Sequence, residues 1–110
     1  MRPLTPAVFH VLLALADRDL HGYGIMQEVA GRTGRTVIMG PGTLYGTLKR
    51  LLAAGLVEEC GDRADPDLND ERRRYYGITK KGRRAVSDEV KRLEMLLRFA
   101  RAKAVPRMVS

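Results

Sequence analysis

A chain of 110 residues is the size of one domain, and 45% hydrophobic residues is enough to build a core, so wholesale disorder is excluded. Aromatic residues are only 5% and Trp is absent, which makes that core one of Leu, Val, Ala and Met. Twenty Lys and Arg against 13 Asp and Glu leave a net charge of +7, which points to a polyanionic partner.

At the N-terminus, Arg2 and the apolar run from Val8 to Ala16 have the outline of a signal peptide. His10 interrupts the run, and its length is far short of the ~18 apolar residues of a membrane span. It reads as a buried helix, opened by Thr5 as cap and Pro6 at the first position, and carried to about Asp17. That helix is apolar almost all round, so one side stays wet unless a second chain covers it. The break Asp17-Arg18-Asp19 leads to His21-Gly22-Tyr23-Gly24 and a second helix to about Arg32, with Ile25, Met26 and Val29 on one face. Gly31 and Gly34 are expected to end it, and Thr36–Met39 to form a short extended link.

Gly40-Pro41-Gly42 opens a third helix whose stripe Leu44, Leu48, Leu51 and Leu52 has helical spacing, and Gly55 ends it. Leu56–Cys60 and Arg74–Ile78 are two strand candidates joined by a long polar loop, a hairpin. Thr79 caps a fourth helix running to about Ala104, ahead of Pro106. Val86, Val90, Leu93, Leu97, Ala100 and Ala104 recur at spacings of four and three, an a/d seam over nearly three heptads, with Leu96 and Phe99 on its flank. So long a seam cannot be buried on so small a body, and it is expected to pack against its own copy.

The fold class is therefore mostly α with a small β-hairpin: a winged helix-turn-helix over residues 1–79, then a long C-terminal dimerisation helix and tail over 80–110. Three helices followed by a hairpin place the third helix in the major groove and the hairpin, as the wing, beside it. Gly42, Gly46, Lys49 and Arg50 fall opposite the leucine stripe, with Thr43 and Tyr45 on the flanks. Small residues there admit DNA closely, and the cations reach phosphate or guanine. From Arg72 to Arg84 the chain carries Arg72, Arg73, Arg74, Lys80, Lys81, Arg83 and Arg84 and no acid, the electrostatic footprint of phosphate binding. Asp62, Asp65, Asp67, Asp70 and Glu71 precede them at the expected wing tip. Asp65, Asp67 and Asn69 resemble the start of a calcium loop, but Asp70 and Tyr76 stand at its sixth and twelfth positions, where that loop needs Gly and Glu. A solvated tip, or pairing with the nearby arginines, is the expectation.

Cys60, His10 and His21 are too few ligands for structural zinc, and a single cysteine excludes an internal disulfide and fits a reducing cytoplasm. Neither histidine has a nucleophile placed by a motif, so no enzyme, metal or cofactor is expected and both read as structural. A basic protein-interaction or membrane-surface module would also explain the charge and the long amphipathic helix. It would not explain a recognition-helix pattern beside a basic hairpin.

His21-Gly22-Tyr23-Gly24-Ile25, the segment from Pro41 to Leu51, Gly55-Leu56-Val57 and the segment from Arg73 to Gly82 together resemble the signature blocks of PadR-family transcriptional regulators. The blocks come in order and span about residues 4–82. The resemblance implies a cytoplasmic winged-helix repressor that binds a pseudo-palindromic operator on double-stranded DNA as a homodimer. It places Thr43, Tyr45 and Lys49 on the recognition helix, and Arg73 and Arg74 on the wing. It also implies release by a small aromatic or hydrophobic effector, for which Phe9, Leu12, Leu93, Leu96 and Phe99 are the expected wall. Gly77 departs from the more usual polar residue, which is expected to trim the basic face of the wing. The wall departs too, since it holds no Trp.

Overall fold

Each helix start is set by its local chemistry. The computed structural model describes residues 3–64 and 72–103, without the side chains of Ala64 and Arg72. The Thr5 hydroxyl accepts the Val8 N–H at 3.3 Å, and helix α1 runs Pro6–Ala14 with Pro at its first position. It stops three residues short of the expected Asp17, because Leu15 caps it and the Ala16 carbonyl accepts from Arg83 at 2.9 Å. His21 Nδ1 accepts the Gly24 N–H at 2.9 Å and starts α2, Gly22–Arg32. Gly31 does not end α2 but lies inside it. The stop is at Thr33, followed by Gly34 and Arg35 with φ of 60° and 65°.

Helix α3, Pro41–Ala53, starts at Gly40 as the Gly-Pro pair predicts. Gly55, at φ 74°, sends its N–H to the Leu52 carbonyl at 3.1 Å, and the Leu56 N–H reaches Leu51 at 3.0 Å. These two bonds form a Schellman cap, which needs a left-handed residue at that position. Helix α4, Lys80–Ala102, begins on top of this cap. Thr79 accepts the Gly82 N–H at 3.0 Å and donates to the Gly55 carbonyl at 2.7 Å, while Lys81 Nζ donates to the Ala54 carbonyl at 2.8 Å.

The hairpin is larger than expected and belongs to a three-stranded antiparallel sheet. Strands β1 (Leu20–His21), β2 (Val57–Ala64) and β3 (Arg72–Ile78) lie in the order β1-β3-β2. Leu20 pairs with Tyr76 and His21 with Tyr75, while Val57 pairs with Ile78. The register shifts between Glu59 and Asp62, with Gly61 at φ 87° in the bulge. Asp65–Glu71 lie outside the described residues.

The core gathers Val11, Leu12 and Leu15 of the α1 segment, Ile25 and Val29 of α2, Leu44, Leu48 and Leu51 of α3, and Val57 and Tyr76 of the sheet. Leu52 of the predicted stripe sits at its edge. Thr47 is fully buried as well, its hydroxyl satisfied by the Thr43 carbonyl at 2.8 Å. Ala85 and Val86 of α4 pack against the core, Gly82 and Glu89 of the same helix are buried, and beyond Glu89 the helix leaves the core. Val90, Leu93, Met95, Leu96, Leu97 and Phe99 are between 38% and 57% exposed. Ala100 is half-buried, and Ala104 lies outside the described residues.

Glu89 is buried on α4, where its carboxylate accepts the Leu4 N–H at 3.2 Å and Arg92 Nε at 3.0 Å. Arg92 first, and the Leu4 amide after it, hold this carboxyl below the usual range against the opposing effect of burial. A group depressed in this way stabilises the fold above its unfolded value of about 4.3, and that contribution is lost as the pH falls through the folded value. Glu89→Gln is expected to lower the melting temperature at neutral pH and to flatten its fall in acid. Melting curves that keep the parent's acid limb would refute the pairing.

Candidate nucleic-acid interface

The side of α3 opposite its buried leucines is open. Gly42, Thr43, Lys49 and Arg50 are exposed and Gly46 is half-buried. A Cβ at Gly42 would meet nothing within 4 Å, and one at Gly46 only the Arg50 guanidinium at 3.8 Å, so another backbone can come close. Arg50 Nη2 donates to the Thr47 hydroxyl at 3.3 Å, which anchors that long side chain from beneath. Tyr45 is 49% exposed and leans over the first turn of α2. Gly22 makes this pose available, since a Cβ there would stand 2.3 Å from the Tyr45 hydroxyl.

The wing flanks this face. On β3, Arg73 stands opposite Arg63 of β2, and Arg74 opposite Asp62. Arg74 lies 3.3 Å from Glu59 Oε1 and 3.8 Å from Asp62 Oδ1. Arg63 lies 2.9 Å from Asp19 Oδ2 and 4.7 Å above the Tyr75 ring. Acids and arginines of the wing therefore pair in the free protein, and a phosphate must displace exposed partners that hold only weakly.

Two expectations about charge need correction. The run from Arg72 to Arg84 is not one footprint, because Lys81 and Arg83 donate to the Ala54 and Ala16 carbonyls at helix ends. Gly77 does not trim the basic face either. It is buried, and a Cβ there would stand 2.6 Å from Asp19 Oδ1 and 2.8 Å from Cys60 Sγ. Its role is to let the sheet close on those two groups. Burial, and then the Asp19 carboxylate, push the Cys60 thiol above its ordinary value, which keeps the weakly nucleophilic protonated form.

Tyr45 and Arg73 are expected on the DNA, but their meeting with the start of α2 is not evident from the sequence. Tyr23 and Met26 of α2, Pro41 and Tyr45 of α3, and Arg73 of β3 line an open cavity of about 330 Å³ with His21 and Gly22. Tyr23 is 50% exposed, and its ring lies parallel to that of His21 at 6.5 Å, while Tyr75 meets His21 edge-on at 5.2 Å. Burial, then Tyr45, raise the Tyr76 phenol below this site, so it stays neutral. Among the expected effector wall, Leu12 is fully buried in the core, Phe9 is half-buried, and Leu93, Leu96 and Phe99 are exposed on α4. Among the described residues no group of three or more His, Cys, Asp or Glu could hold a metal ion, and no helix is long and apolar enough to cross a membrane.

Known proteins place this arrangement. Residues 11–88 match the transcriptional regulator PadR-like family. A transcriptional regulator of Mycobacterium tuberculosis is 40% identical over 90 residues, covering 81% of this chain and 77% of that protein. Among solved structures, a PadR family transcription regulator of Clostridium difficile aligns with a TM-score of 0.74 at 20% identity, over 89% of this chain and 97% of that one. Bacillus subtilis PadR, solved in complex with operator DNA, aligns with a TM-score of 0.67 at 19% identity, over 80% of this chain and 48% of that one. The structures share the fold, and the sequence matches carry the family. This chain belongs to the PadR-like family of transcriptional regulators.

Proposed function

We propose that the chain is a cytoplasmic repressor that binds a pseudo-palindromic operator as a homodimer, with residues 1–79 on the DNA and 80–110 joining the two copies. The observation that carries this reading is the open outer face of α3 beside an arginine-bearing wing, in a chain whose structural relative from Bacillus subtilis is held on operator DNA. Gly42, Thr43, Tyr45, Gly46, Lys49 and Arg50 enter the major groove, and Arg72, Arg73 and Arg74 reach phosphate or minor groove. The expected dimer seam is Val86, Val90, Leu93, Leu97, Ala100 and Ala104. Val86 packs on the chain's own core instead, so the seam proposed here starts at Val90, and the exposure of Val90, Leu93 and Leu97 supports it. The direct test is a footprint on the DNA upstream of its own gene. Protection of two half-sites one helical turn apart is expected, and equal, salt-insensitive binding to scrambled DNA would favour an interaction module instead.

Wing and recognition helix then differ in kind. Arg74→Ala is expected to weaken all DNA about equally and to lower the salt slope by about 0.9 per subunit. Thr43→Val is expected to lower the ratio of operator to random-sequence affinity with the slope unchanged. Titrations over a range of salt on both duplexes check this, and a common response of both variants would remove the docking geometry.

A hydrophobic effector acts in this reading on the seam. It releases DNA by favouring a dimer in which the two α3 helices no longer match successive major grooves, about 34 Å apart. Phe9, Leu93, Leu96 and Phe99 supply the wall, with Leu12 behind them in the core. Titration of flat hydrophobic compounds against operator-bound parent and Phe99→Ala protein tests it. Identical release curves would place the site elsewhere.

A further inference from the structure

Side-chain bonds fasten α4 to the rest of the described chain at two places. Its start sits on the α3 cap, where Thr79 and Lys81 donate to the Gly55 and Ala54 carbonyls. There too Arg83 Nη1 donates to the Ala16 carbonyl, just past the end of α1, at 2.9 Å. Nearly two turns further on, the buried Glu89 accepts the Leu4 N–H, just ahead of α1, at 3.2 Å. Arg92 braces that carboxylate from the next turn. Between the two places Ala85 and Val86 press on the core. Arg83 and Glu89 therefore grip α1 at its opposite ends, and two points fix a direction. An apolar side chain would be buried there at lower cost than a carboxylate. It would let α4 pivot on α1, whereas a bond to one backbone N–H does not.

That direction matters because α4 continues from Glu89 to Ala102 for about 20 Å. The exposed Leu93 and Leu97 lie on this free stretch. A tilt of about 10° at Glu89 moves its far end by about 3 Å, the rise of one base pair. In a two-fold dimer the same tilt acts in both copies and changes the separation of the two α3 helices. We propose that Arg83 and Glu89 are positioning residues, a two-point bracket of α4 on α1 that fixes this separation and with it the half-site spacing the protein accepts. The proposal rests on the homodimer reading above and names what sets the geometry of that dimer. Neither residue needs to touch DNA.

The test uses the full chain with a nitroxide on Ala53→Cys, an exposed residue at the end of α3, in a Cys60→Ser background. Pulsed dipolar spectroscopy then reads the distance between the two α3 helices in the absence of DNA. The parent is expected to give one narrow distribution, and Arg83→Ala and Glu89→Leu proteins distributions about twice as wide, as a freed hinge would. Glu89→Gln keeps an oxygen for the Leu4 N–H and should keep the narrow distribution. Val29→Ala removes packing from the core at α2, so it should lower the melting temperature and leave the distance alone. These two controls separate positioning from loss of stability. Half-sites selected by the parent from random-sequence duplexes should recur at one spacing. Glu89→Leu protein should select the same half-sites at several spacings. Variants with the parent's distribution, or with its single spacing, would overturn the bracket while leaving the dimeric DNA-binding reading intact. A parent that sediments as a monomer, or that selects no paired half-sites, would overturn both.

Discussion

Gly82→Ala is expected to destabilise the protein by about 2–4 kcal/mol, a fall in melting temperature on the order of 10–20 °C for a domain of this size. The added Cβ would stand 2.2 Å from the Leu56 carbonyl oxygen and 2.7 Å from Ile78 Cγ1. The first of these is backbone and already accepts the Thr79 N–H at 3.1 Å, so it cannot yield without loosening the start of α4. The damage would spread, because Thr79 and Lys81 also hold the last carbonyls of α3. Gly31→Ala supplies the contrast. Its Cβ meets nothing within 4 Å inside α2, so helix propensity alone acts and a gain of up to about 1 kcal/mol is expected. Thermal melts of the two variants side by side decide, and equal melting temperatures would refute the close approach of α4 to the α3 cap.

The same corner shows what was legible in the sequence. Thr5-Pro6, Gly40-Pro41, Gly55 and Thr79 mark helix ends through bonds to residues two to four positions away, and such bonds are written in the local chain. The leucine stripe of α3 was equally legible because its period is that of the helix itself. Strand β1 was not. It is two residues long and exists only because Tyr75 and Tyr76 pair with it from the far end of the domain. Arg83 and the Ala16 carbonyl are a second case, since a contact across 67 positions shortens α1 and withdraws a cation from the basic run. Thr47 misleads in the other direction: a polar residue enters the core because its own helix satisfies its hydroxyl.

The candidate site divides along the same line. The open face of α3 was legible from a helical projection, because one helix determines which side its leucines bury. The cavity beside it was not, since His21, Tyr23, Tyr45 and Arg73 come from four elements and meet only in the folded chain. The pairing of Arg74 with Glu59 and Asp62 belongs to strand register, which a bulge at Gly61 shifts. Tertiary contacts decide which of the basic residues face a partner and which brace the fold.

Leu93→Asp is expected to convert the protein to monomers and to lower operator affinity by about 10²–10⁴-fold. Leu93 lies on the half of α4 that leaves the core, among Val90, Leu96 and Leu97, all substantially exposed. Contiguous apolar surface of this kind marks an interface, and the four-and-three spacing of the seam suits a second helix. A carboxylate placed there loses its water in the dimer, at several kcal/mol per ion, and two-fold symmetry puts a second one in the same seam. The monomer keeps α3 and the wing, because Leu93 is not part of the core cluster. What it loses is the second half-site, which in the dimer is met at an effective concentration in the millimolar range, and that is the source of the affinity fall. Lys91→Gln separates charge from position. It changes the net charge by the same single unit at an exposed residue outside the seam, and should sediment as a dimer with only the modest loss that one distant charge brings. Ultracentrifugation of the three proteins, followed by operator titration, checks both steps, and Leu93→Asp protein that sediments as a dimer would remove α4 from the interface.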